Sequence, residues 1–478
     1  MPLLRCVGCS TTSQSSILDL VCTNCGSALI LSEGRTPSLK RETLERRPSG
    51  VWRYRELLPS PESGQVVSLG EGGTPLLRAT NLGAEFGLDD LLIKDETRNP
   101  TGSFFDRGST VLVSLAKDRG IASCTCETTG NLGASVAAYC AKAGIDAKVR
   151  ITPNTDRGKL YQMIAYGANI ETSPKPPKRG RLDDRSIAVT AGNPYILEGE
   201  KTTCFEIIQD LGWKTPDAIL VPVGTGGHLS MFWRAIRMLE QMRLVGKVGT
   251  RLVGVQFAGF TNPLDSLQGV KRLGKSERSF TELEESDPIF MGEAVRAMKE
   301  SGGNRLETTV EEAIEATGLL ARTEGIFAEP AAASVVASLR SAKSQGLIRS
   351  DETVVCVITG AGLKDTKAIA RIARATKQPL VKEEYSVSPL QVGTTKLEVL
   401  RRLSLKPHFG YELWRVLLLG RRITTASVYQ HLGELESMGL VRKAGVSTVR
   451  GRERILYELT RKGTDLLRMA KKMEGSRL

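Results

Sequence analysis

Four cysteines near the start of the chain have the spacing of a metal site. They form two Cys-x-x-Cys pairs separated by twelve residues. Two such pairs place four thiolates at the corners of a tetrahedron, which is the geometry that Zn²⁺ prefers. Redox dithiols, or a ribbon that has lost its metal, would show the same spacing. We predict a structural zinc ribbon over residues 1–35, closed by an apolar strand at Leu29–Leu31. The four candidate ligands are Cys6, Cys9, Cys22 and Cys25.

Three glycine-rich turns that follow apolar runs have the chemistry of anion sites. Residues 221–229 follow one such run and open a helical pattern, so that successive N–H groups converge on a phosphate. Residues 127–135 carry hydroxyls and an amide suited to a carboxylate or a ring oxygen, and residues 354–362 place Thr359 at a strand end. Each turn alone is equally typical of tight packing, whereas the three together favour a ligand site.

The elements that must position these turns fall into a regular alternation. From residue 45 to 375, short β-branched runs alternate with longer amphipathic or alanine-rich stretches. Buried strands followed by covering helices predict a mostly parallel α/β sheet, in which ligands bind at the C-terminal ends of the strands. Residues 376–393 have the composition of a linker, and residues 394–478 form a separate last segment.

The composition is that of an ordinary globular protein, with 40% hydrophobic and 25% charged residues. The pattern of the first ten residues predicts neither a secretory nor a transit peptide, and no apolar run reaches the roughly 18 residues of a membrane span. We therefore expect a cytoplasmic protein with no membrane partner. Cysteines outside the ribbon lie among apolar or small residues, which indicates reduced core positions. They are Cys124, Cys126, Cys140, Cys204 and Cys356.

The net charge of +13 is concentrated in the last segment. Residues 394–478 contain 18 Lys and Arg and 8 Asp and Glu, which gives a net charge of +10. A near-neutral body joined to a basic segment indicates a polyanionic partner for that segment alone.

Several short sequence motifs of the body together resemble those of one enzyme family. The body is similar to threonine synthase, a pyridoxal-phosphate enzyme of fold type II in the tryptophan-synthase-β group. The resemblance implies two lobes with parallel sheets over residues 45–375, and it extends back through the zinc ribbon. The matching phrases are residues 52–59, 69–76, 99–103, 198–202, 324–330 and 359–365.

The resemblance also implies a role for each turn. Asn131 would contact the ring oxygen of pyridoxal phosphate, and Thr359 would bond its pyridine nitrogen. The phosphate would lie on Gly224, Thr225, Gly226, Gly227 and His228. The carboxylate of an amino-acid ligand would lie on Thr128, Thr129, Gly130 and Ser103.

Two positions depart from the family pattern. The family phrase NPTGSFKDRG contains the lysine that forms the Schiff base, and this chain reads NPTGSFFDRG with Phe105 in that place. A phenyl ring cannot form an imine or act as a general base. The family commonly has an arginine where this chain has Ile196, which offers no charge to a substrate phosphate. Another lysine, Lys94, Lys201 or Lys364, is the alternative source of the amine.

The last segment has the plan of a winged helix. Leu397, Leu400 and Leu403 mark a first helix, a second starts at Gly410, and Thr424 or Thr425 caps a third. Two strand-like runs then flank an arginine-rich tip.

Short sequence motifs in this segment resemble those of the PadR-type transcription regulators. They lie at residues 428–432, 439–441 and 457–460. By that resemblance, the third helix would enter a major groove of DNA. The residues on its polar face that would contact the bases are Ser427, Tyr429, Gln430 and His431. Phosphates or the minor groove would receive Arg450, Arg452 and Arg454.

Three functions are compatible with the sequence. The loss of the amine at Phe105 favours a homodimeric DNA-binding regulator without catalysis, which binds an amino acid or pyridoxal phosphate non-covalently. A working pyridoxal-phosphate lyase that makes threonine with displaced groups is the first alternative. The second is a non-catalytic subunit that pairs with an active paralogue. For the last segment, the alternative to DNA binding is a winged helix used only for dimerisation, with its arginines in solvent.

Overall fold

The computed structural model describes most of the chain. The described residues are 3–14, 16–32, 37–128, 130–152, 155–172, 185–258, 290–375, 392–418, 424–449 and 452–475. The chain divides into two compact units, residues 1–376 and 377–478, and each is described by itself.

Three short antiparallel strands form the N-terminal ribbon within the first unit. They are β1 (Leu3–Cys6), β2 (Thr12–Gln14) and β3 (Leu29–Leu31), in the order β2-β1-β3. All three residues of β3 are buried, because both of its faces lie against other parts of the chain. The predicted closing strand of the ribbon has the bounds that the sequence indicated.

Ten strands form the two sheets of the body. They are β4 (Leu76–Arg78), β5 (Asp90–Asp95), β6 (Ser123–Thr128), β7 (Asp146–Ile151), β8 (Asn169–Thr172), β9 (Ser186–Val189), β10 (Ala218–Pro222), β11 (Arg251–Phe257), β12 (Arg305–Thr308) and β13 (Thr353–Ile358). One sheet has the order β12-β11-β10-β13-β5-β4, and the other has the order β8-β7-β6-β9. Every pairing in them is parallel except that of β4 with β5. The predicted mostly parallel α/β architecture is confirmed.

Thirteen α-helices among the described residues of the first unit cover or connect these strands, besides three short 3-10 helices at Val51–Leu57, Glu96–Arg98 and Gly362–Lys364. The α-helices are α1 (Arg41–Glu45), α2 (Thr80–Phe86), α3 (Phe105–Asp118), α4 (Asn131–Ala143), α5 (Arg157–Ala165), α6 (Pro194–Glu200), α7 (Thr202–Asp210), α8 (Gly227–Gln241), α9 (Met291–Glu300), α10 (Val310–Glu324), α11 (Pro330–Ala337), α12 (Leu339–Ser344) and α13 (Thr366–Ala375). Local sequence fixes several of their starts. Thr309 and Glu312 form a reciprocal capping box at α10, and Pro330 occupies the first turn of α11.

The central strands consist of apolar residues that are buried on both faces. All five residues of β10 are buried, as are five of the six residues of β13. Helices on both faces of a parallel sheet remove its strands from water, which explains continuous rather than alternating hydrophobicity. The glycine-rich loops of the predicted ligand site follow the C-terminal ends of these two strands.

The second unit has the predicted winged-helix plan. Its elements are α14 (Thr394–Leu403), β14 (His408–Phe409), α15 (Gly410–Leu418), α16 (Thr425–Ser437), β15 (Val441–Val449), β16 (Arg452–Leu459) and α17 (Arg461–Gly475). The strands form an antiparallel sheet in the order β14-β16-β15. Thr424 caps α16 by accepting a hydrogen bond from the Ser427 amide. The core contains Val399, Leu413, Leu432 and Tyr457. The sequence analysis did not predict the terminal helix α17.

Within the described ranges, no helix combines the length and the apolar composition that crossing a bilayer requires.

Candidate functional site

Loops from both sheets of the body meet at the C-terminal ends of β5, β6, β10 and β13. The Phe104 amide, after β5, donates to the Thr359 carbonyl, after β13, at 3.0 Å. Ser103 forms an isolated bridge with Gly360 in the same pair of loops. In open α/β sheets, ligands bind at this edge, where consecutive loops diverge. The predicted ligand residues after these strands therefore share one region of the fold.

Aromatic rings join the β5 loop to the β10 loop. The Phe104 ring lies 4.3 Å from the Phe105 ring and 4.3 Å from the imidazole of His228, measured between centroids. His228 in turn meets Phe232 edge to face at 5.0 Å. Phe105 is half-buried and also packs against the core cluster that contains Val111 and Leu132. The two phenylalanines are thus part of one continuous ring stack.

The imidazole of His228 is neutral in this stack. Its side chain is 7% exposed, and neither ring nitrogen has a hydrogen-bond partner among the described residues. Burial lowers the pKa of His228 to about 3, because the apolar rings around it do not solvate an imidazolium ion. A ligand phosphate would therefore be held at this loop by backbone N–H groups and the helix end.

The glycine-rich loop of residues 224–228 connects β10 to α8 by a turn that requires glycine. Gly226 has φ +89°, and a Cβ there would lie 2.8 Å from the backbone of Phe290. The Thr225 hydroxyl accepts a hydrogen bond from the Gly227 amide at 3.3 Å. The loop ends at the N-terminus of the 15-residue helix α8, whose dipole favours an anion. This geometry fits the predicted phosphate cradle.

The loop that carries Phe105 is fixed by buried hydrogen bonds. Asp106 accepts from both the amide and the hydroxyl of Thr101, at 2.7 Å each, and from the Ser135 hydroxyl at 2.6 Å. The buried Ser103 hydroxyl accepts from the Phe105 amide at 3.4 Å. The backbone at residue 105 is therefore held in one conformation, which sets the direction of the Cα–Cβ bond of any side chain there.

Asn131 begins α4 and contacts an acidic residue that the sequence analysis did not select. Its Nδ2 donates to Oε1 of Glu329 at 2.7 Å, and Oε2 of Glu329 lies 3.3 Å from Nζ of Lys159. All three side chains are at least 95% buried. A Cβ at Gly360 would lie 2.2 Å from Glu329, so this glycine leaves room for the carboxylate. Glu329 lies within residues 324–330, one of the motifs that match the threonine synthase family. That match could have identified it as a site residue.

The three lysines considered as replacement amines have structural partners. Lys94 lies 2.9 Å from Glu206 and donates to the Thr74 carbonyl at 2.6 Å. Lys201 pairs with Glu198 at 2.5 Å.

Lys364 donates to the Thr101 carbonyl at 2.8 Å. All three lysines are buried, so breaking these contacts would leave buried groups without their charge or hydrogen-bond partners.

Ile196 is a core residue of α6. Its side chain is fully buried, and a Cβ at Gly108 would lie 2.7 Å from its Cγ2 atom. Ile196 thus fills the contact between α6 and α3, where a charged side chain would have no solvent.

The predicted carboxylate turn after β6 is described only in part. The Thr128 hydroxyl accepts a hydrogen bond from the Gly130 amide at 2.9 Å, which closes the turn before α4. Thr129 lies outside the described residues.

The four ribbon cysteines come together as the spacing predicts. All four sulfur atoms lie within 4.8 Å of one another, with Cys6 and Cys25 at 3.4 Å and Cys9 and Cys22 at 3.7 Å. A tetrahedral Zn–thiolate centre with bonds of about 2.3 Å has sulfur atoms about 3.8 Å apart. The amides of Gly8 and Cys9 point at the Cys6 sulfur. The donor set therefore fits a zinc ion.

The residues predicted to enter a major groove lie on α16. Tyr429 is 44% exposed, and Gln430 donates to Glu434 at 3.0 Å. His431 lies 3.4 Å from the Ser427 hydroxyl.

On the wing, the Arg454 guanidinium lies 5.2 Å from the centre of the Tyr411 ring. Arg450 and the side chain of Arg452 lie outside the described residues. The rest of the predicted DNA-contacting set is thus described on α16 and β16.

Comparison with known proteins identifies the family of each unit. Residues 67–360 match the family described as pyridoxal-phosphate dependent enzyme, and they make up more than half of the chain. The chain belongs to this family. Residues 399–469 match the PadR-like family of transcriptional regulators. Both resemblances inferred from the sequence are therefore confirmed.

Similar proteins within the enzyme family are threonine synthases. The chain is 36% identical to the threonine synthase of Methanocaldococcus jannaschii over 401 residues, which cover 79% of this chain and 96% of that protein. It is 38% identical to the threonine synthase of Halalkalibacterium halodurans over 328 residues, which cover 65% of this chain and 88% of that protein.

Two solved enzyme structures share the fold at low sequence identity. An L-serine ammonia-lyase from Rhizomucor miehei superposes with a TM-score of 0.51 at 19% identity, covering 66% of this chain and 99% of that one. A threonine deaminase from Solanum lycopersicum gives a TM-score of 0.51 at 18% identity, covering 70% and 96%. The fold-type II assignment is thus confirmed.

Proposed function

We propose that this protein is a DNA-binding regulator whose enzyme-like body binds a phosphate-bearing ligand without a covalent bond. The single observation that carries the proposal is Phe105, which stands at the helix start where the threonine-synthase pattern has its Schiff-base lysine. The fixed backbone around residue 105 directs a phenyl ring, not an amine, into the ring stack with Phe104 and His228.

The rest of the site retains features that suit pyridoxal phosphate. The loop of residues 224–228 suits the phosphate, and the buried Asn131 suits a ring oxygen. When bound, pyridoxal phosphate supplies an electron sink for carbanion chemistry. Phe105 has no proton to move and no nitrogen to condense with an aldehyde, so the chain's residues bind and orient the ligand only. An amino acid at Thr128, Gly130 and Ser103 is the second ligand of this proposal.

The second unit supplies the DNA-binding part of the proposal. A net charge of +10 over residues 394–478 suits a polyanion, and α16 is the helix that would enter a major groove. We further propose a homodimer, because winged helices of this type read two half-sites of a palindrome. A cytoplasmic location is part of the same proposal.

Ligand and DNA binding can be linked only if the ligand has different affinities for two arrangements of the protein. The experiment is a titration of a DNA library with the full chain, with and without pyridoxal phosphate and threonine. A specific palindrome whose affinity changes with ligand is the expected result. Sequence-independent binding that no ligand changes would contradict the regulatory role.

One observation favours the lyase alternative, and it concerns Lys159. This buried lysine is joined through Glu329 to Asn131, the residue expected at the ring oxygen beside the cofactor's aldehyde. For the lyase alternative we propose Lys159 as the amine, although it is as buried and as firmly paired as the other three lysines. Mixing with pyridoxal phosphate, reducing with borohydride and mapping the label separates the two functions. A stoichiometric label on Lys159, with threonine formed from O-phosphohomoserine, would favour the lyase.

A further inference from the structure

We propose that the metal ribbon supports the phosphate cradle, so that metal binding at the four cysteines is coupled to the order of residues 224–228. The coupling runs through Ile30 of β3 and Leu197 of α6. Ile30 and Leu197 act as positioning residues, since neither side chain is expected to contact a ligand. Only the ligand-affinity part of its test rests on the proposed function.

The first step is the contact between ribbon and body. Ala28 and Ile30 are buried in one small apolar cluster with Leu197 of α6, Met231 of α8 and Phe290. The two neighbours of Ile30 on β3, Leu29 and Leu31, pack instead into the cluster that lies under the four-stranded sheet. Because side chains alternate along a strand, β3 presents Ile30 alone to the cradle side. Arg234 of α8 adds a hydrogen bond of 2.6 Å to the Leu31 carbonyl.

The second step is the contact between this cluster and the cradle. Leu197 lies so close to Gly227 that a Cβ there would be 2.5 Å from its Cδ2 atom. On the other side, the Phe290 amide donates to the Thr225 carbonyl at 3.1 Å, and its backbone lies 2.8 Å from the position of a Cβ on Gly226. The cradle is therefore held between two residues that themselves pack on the ribbon.

The third step connects β3 to the metal ligands. Leu29 pairs with Cys6 in the β1–β3 register, and the Val7 amide donates to the Ala28 carbonyl at 3.0 Å. The Cys22 amide donates to the Ser27 carbonyl at 2.8 Å. Both cysteine pairs thus adjoin the backbone that carries Ala28 and Ile30.

A ribbon this small has too little apolar core to keep its shape without its metal. Losing the metal would release β3 from its register, and Leu197 and Phe290 would lose the surface that fixes them. The cradle amides would then sample more conformations and bind a phosphate less tightly. Coupling of this kind is reciprocal, so a ligand in the cradle should also raise the affinity for the metal.

Hydrogen exchange tests the proposal on the full chain without a ligand. We expect amides 224–232 to exchange faster after zinc is removed by a chelator, while amides 332–337 of α11, which pack in a cluster without ribbon residues, do not change. Ile30→Ala in the zinc-loaded protein should give the same local increase. Leu29→Ala truncates the adjacent side chain on the opposite face of the same strand and should leave these amides unchanged.

A titration with pyridoxal 5′-phosphate gives the second readout. We expect Ile30→Ala and zinc removal each to weaken binding at least about fivefold, and Leu29→Ala to have no such effect. Unchanged exchange at 224–232 in both zinc-free protein and Ile30→Ala overturns the proposal. If chelation unfolds the whole chain, Ile30→Ala with zinc bound decides. If zinc-loaded protein binds no pyridoxal 5′-phosphate, the ligand assignment fails, and the exchange data still decide the coupling.

Discussion

The ring of Phe104 lies nearly parallel to the imidazole of His228, with the centroids 4.3 Å apart and the planes inclined by 19°. This contact joins the loop after β5 to the loop after β10, two strands that β13 separates in the six-stranded sheet. Burial among the apolar rings lowers the pKa of His228 and keeps its imidazole neutral in this contact. The stack therefore ties the site's geometry to the protonation of one histidine.

His228 should make the stability of the protein fall as the pH falls. Its pKa is about 3 in the folded chain and about 6.5 in an unfolded one, so below about pH 6.5 the unfolded chain binds a proton that the folded chain does not. The contribution is fully present above that pH and is lost on acidification toward pH 3, with a slope of up to about 1.4 kcal/mol per pH unit.

Denaturant unfolding of the wild type and of His228→Phe between about pH 7 and about pH 5 checks this. His228→Phe keeps a ring in the stack and removes the titration, so its free energy of unfolding should fall less steeply with acid. Parallel slopes for the two proteins would show that His228 is solvated or charged in the native state.

Restoring the missing amine should restore covalent chemistry. The backbone at residue 105 is fixed by Ser103 and Asp106, and the phenyl ring is only half-buried, so a lysine can replace it with a limited loss of packing against the core. We expect Phe105→Lys, treated with pyridoxal phosphate and borohydride, to carry one label per chain at residue 105. The wild type should carry none in the site.

Phe105→Leu is the matched control, because it also removes the ring but adds no amine. If folded Phe105→Lys stays unlabelled, the assignment of residue 105 to the Schiff-base position is wrong. A label on Lys159 in both proteins would instead support the lyase alternative.

The parts of the site that could be predicted from the sequence are those set by local chain geometry. The turn at Gly226 follows an apolar strand and opens a helix, and both the turn and its anion chemistry can be recognised within nine residues. The pairing of Asn131 and Lys159 with Glu329 joins residues distant in the chain. No periodicity or spacing encodes such a pairing, because it depends on how helices are placed on different strands.

The same distinction holds elsewhere in the chain. The four cysteines were predictable because zinc geometry restricts their spacing. The stacking of Phe104 on His228 was not, although Phe105 next to it stood out as a departure. The terminal helix α17 has apolar residues Leu466 and Leu467 among many charged ones, which is a weak periodic signal.

The buried ion cluster around Arg107 should be essential for stability. Its fully buried guanidinium lies 2.6 Å from Glu96 and 2.7 Å from Glu206, which joins the start of α3 to the residue after β5 and to α7. Removing one partner of a buried cluster leaves uncompensated charge, so Arg107→Ala should cost about 3–5 kcal/mol.

Arg78→Ala is the control, because its side chain is 61% exposed and pairs with Asp90 at the surface. It should cost less than about 1 kcal/mol. Denaturant unfolding of both variants measures the difference. Equal losses would mean that the buried charges are solvated or compensated by other groups.

Metal binding should depend on each ribbon cysteine. Hydrogen bonds from Thr11 lower the pKa of Cys9 to about 5, so this thiol is already a thiolate ligand at neutral pH. Cys9→Ser should lose zinc to a competing chelator that leaves the wild type with one zinc ion per chain. Cys140→Ser replaces a buried cysteine outside the cluster and should keep its metal. Equal metal content in the two variants would contradict a four-cysteine site.

The wing should contribute to DNA affinity through Arg454, which the ring of Tyr411 holds from one side. A cation–π contact of this kind restricts the arginine before DNA arrives, so less conformational entropy is lost on binding. If Arg454 meets a phosphate, Arg454→Ala should weaken binding to all duplexes alike. It should also reduce the slope of log affinity against log salt by about 1.

Variants of Tyr411 separate the arginine's charge from its placement. Tyr411→Phe keeps the ring and should bind DNA like the wild type. Tyr411→Ala leaves the charge of Arg454 but frees its side chain, so it should weaken binding while the salt slope stays the same. A reduced slope in Tyr411→Ala would mean that the ring is needed for the phosphate contact itself. If DNA affinity is the same as that of the wild type in both Arg454→Ala and Tyr411→Ala, the wing does not contact the DNA.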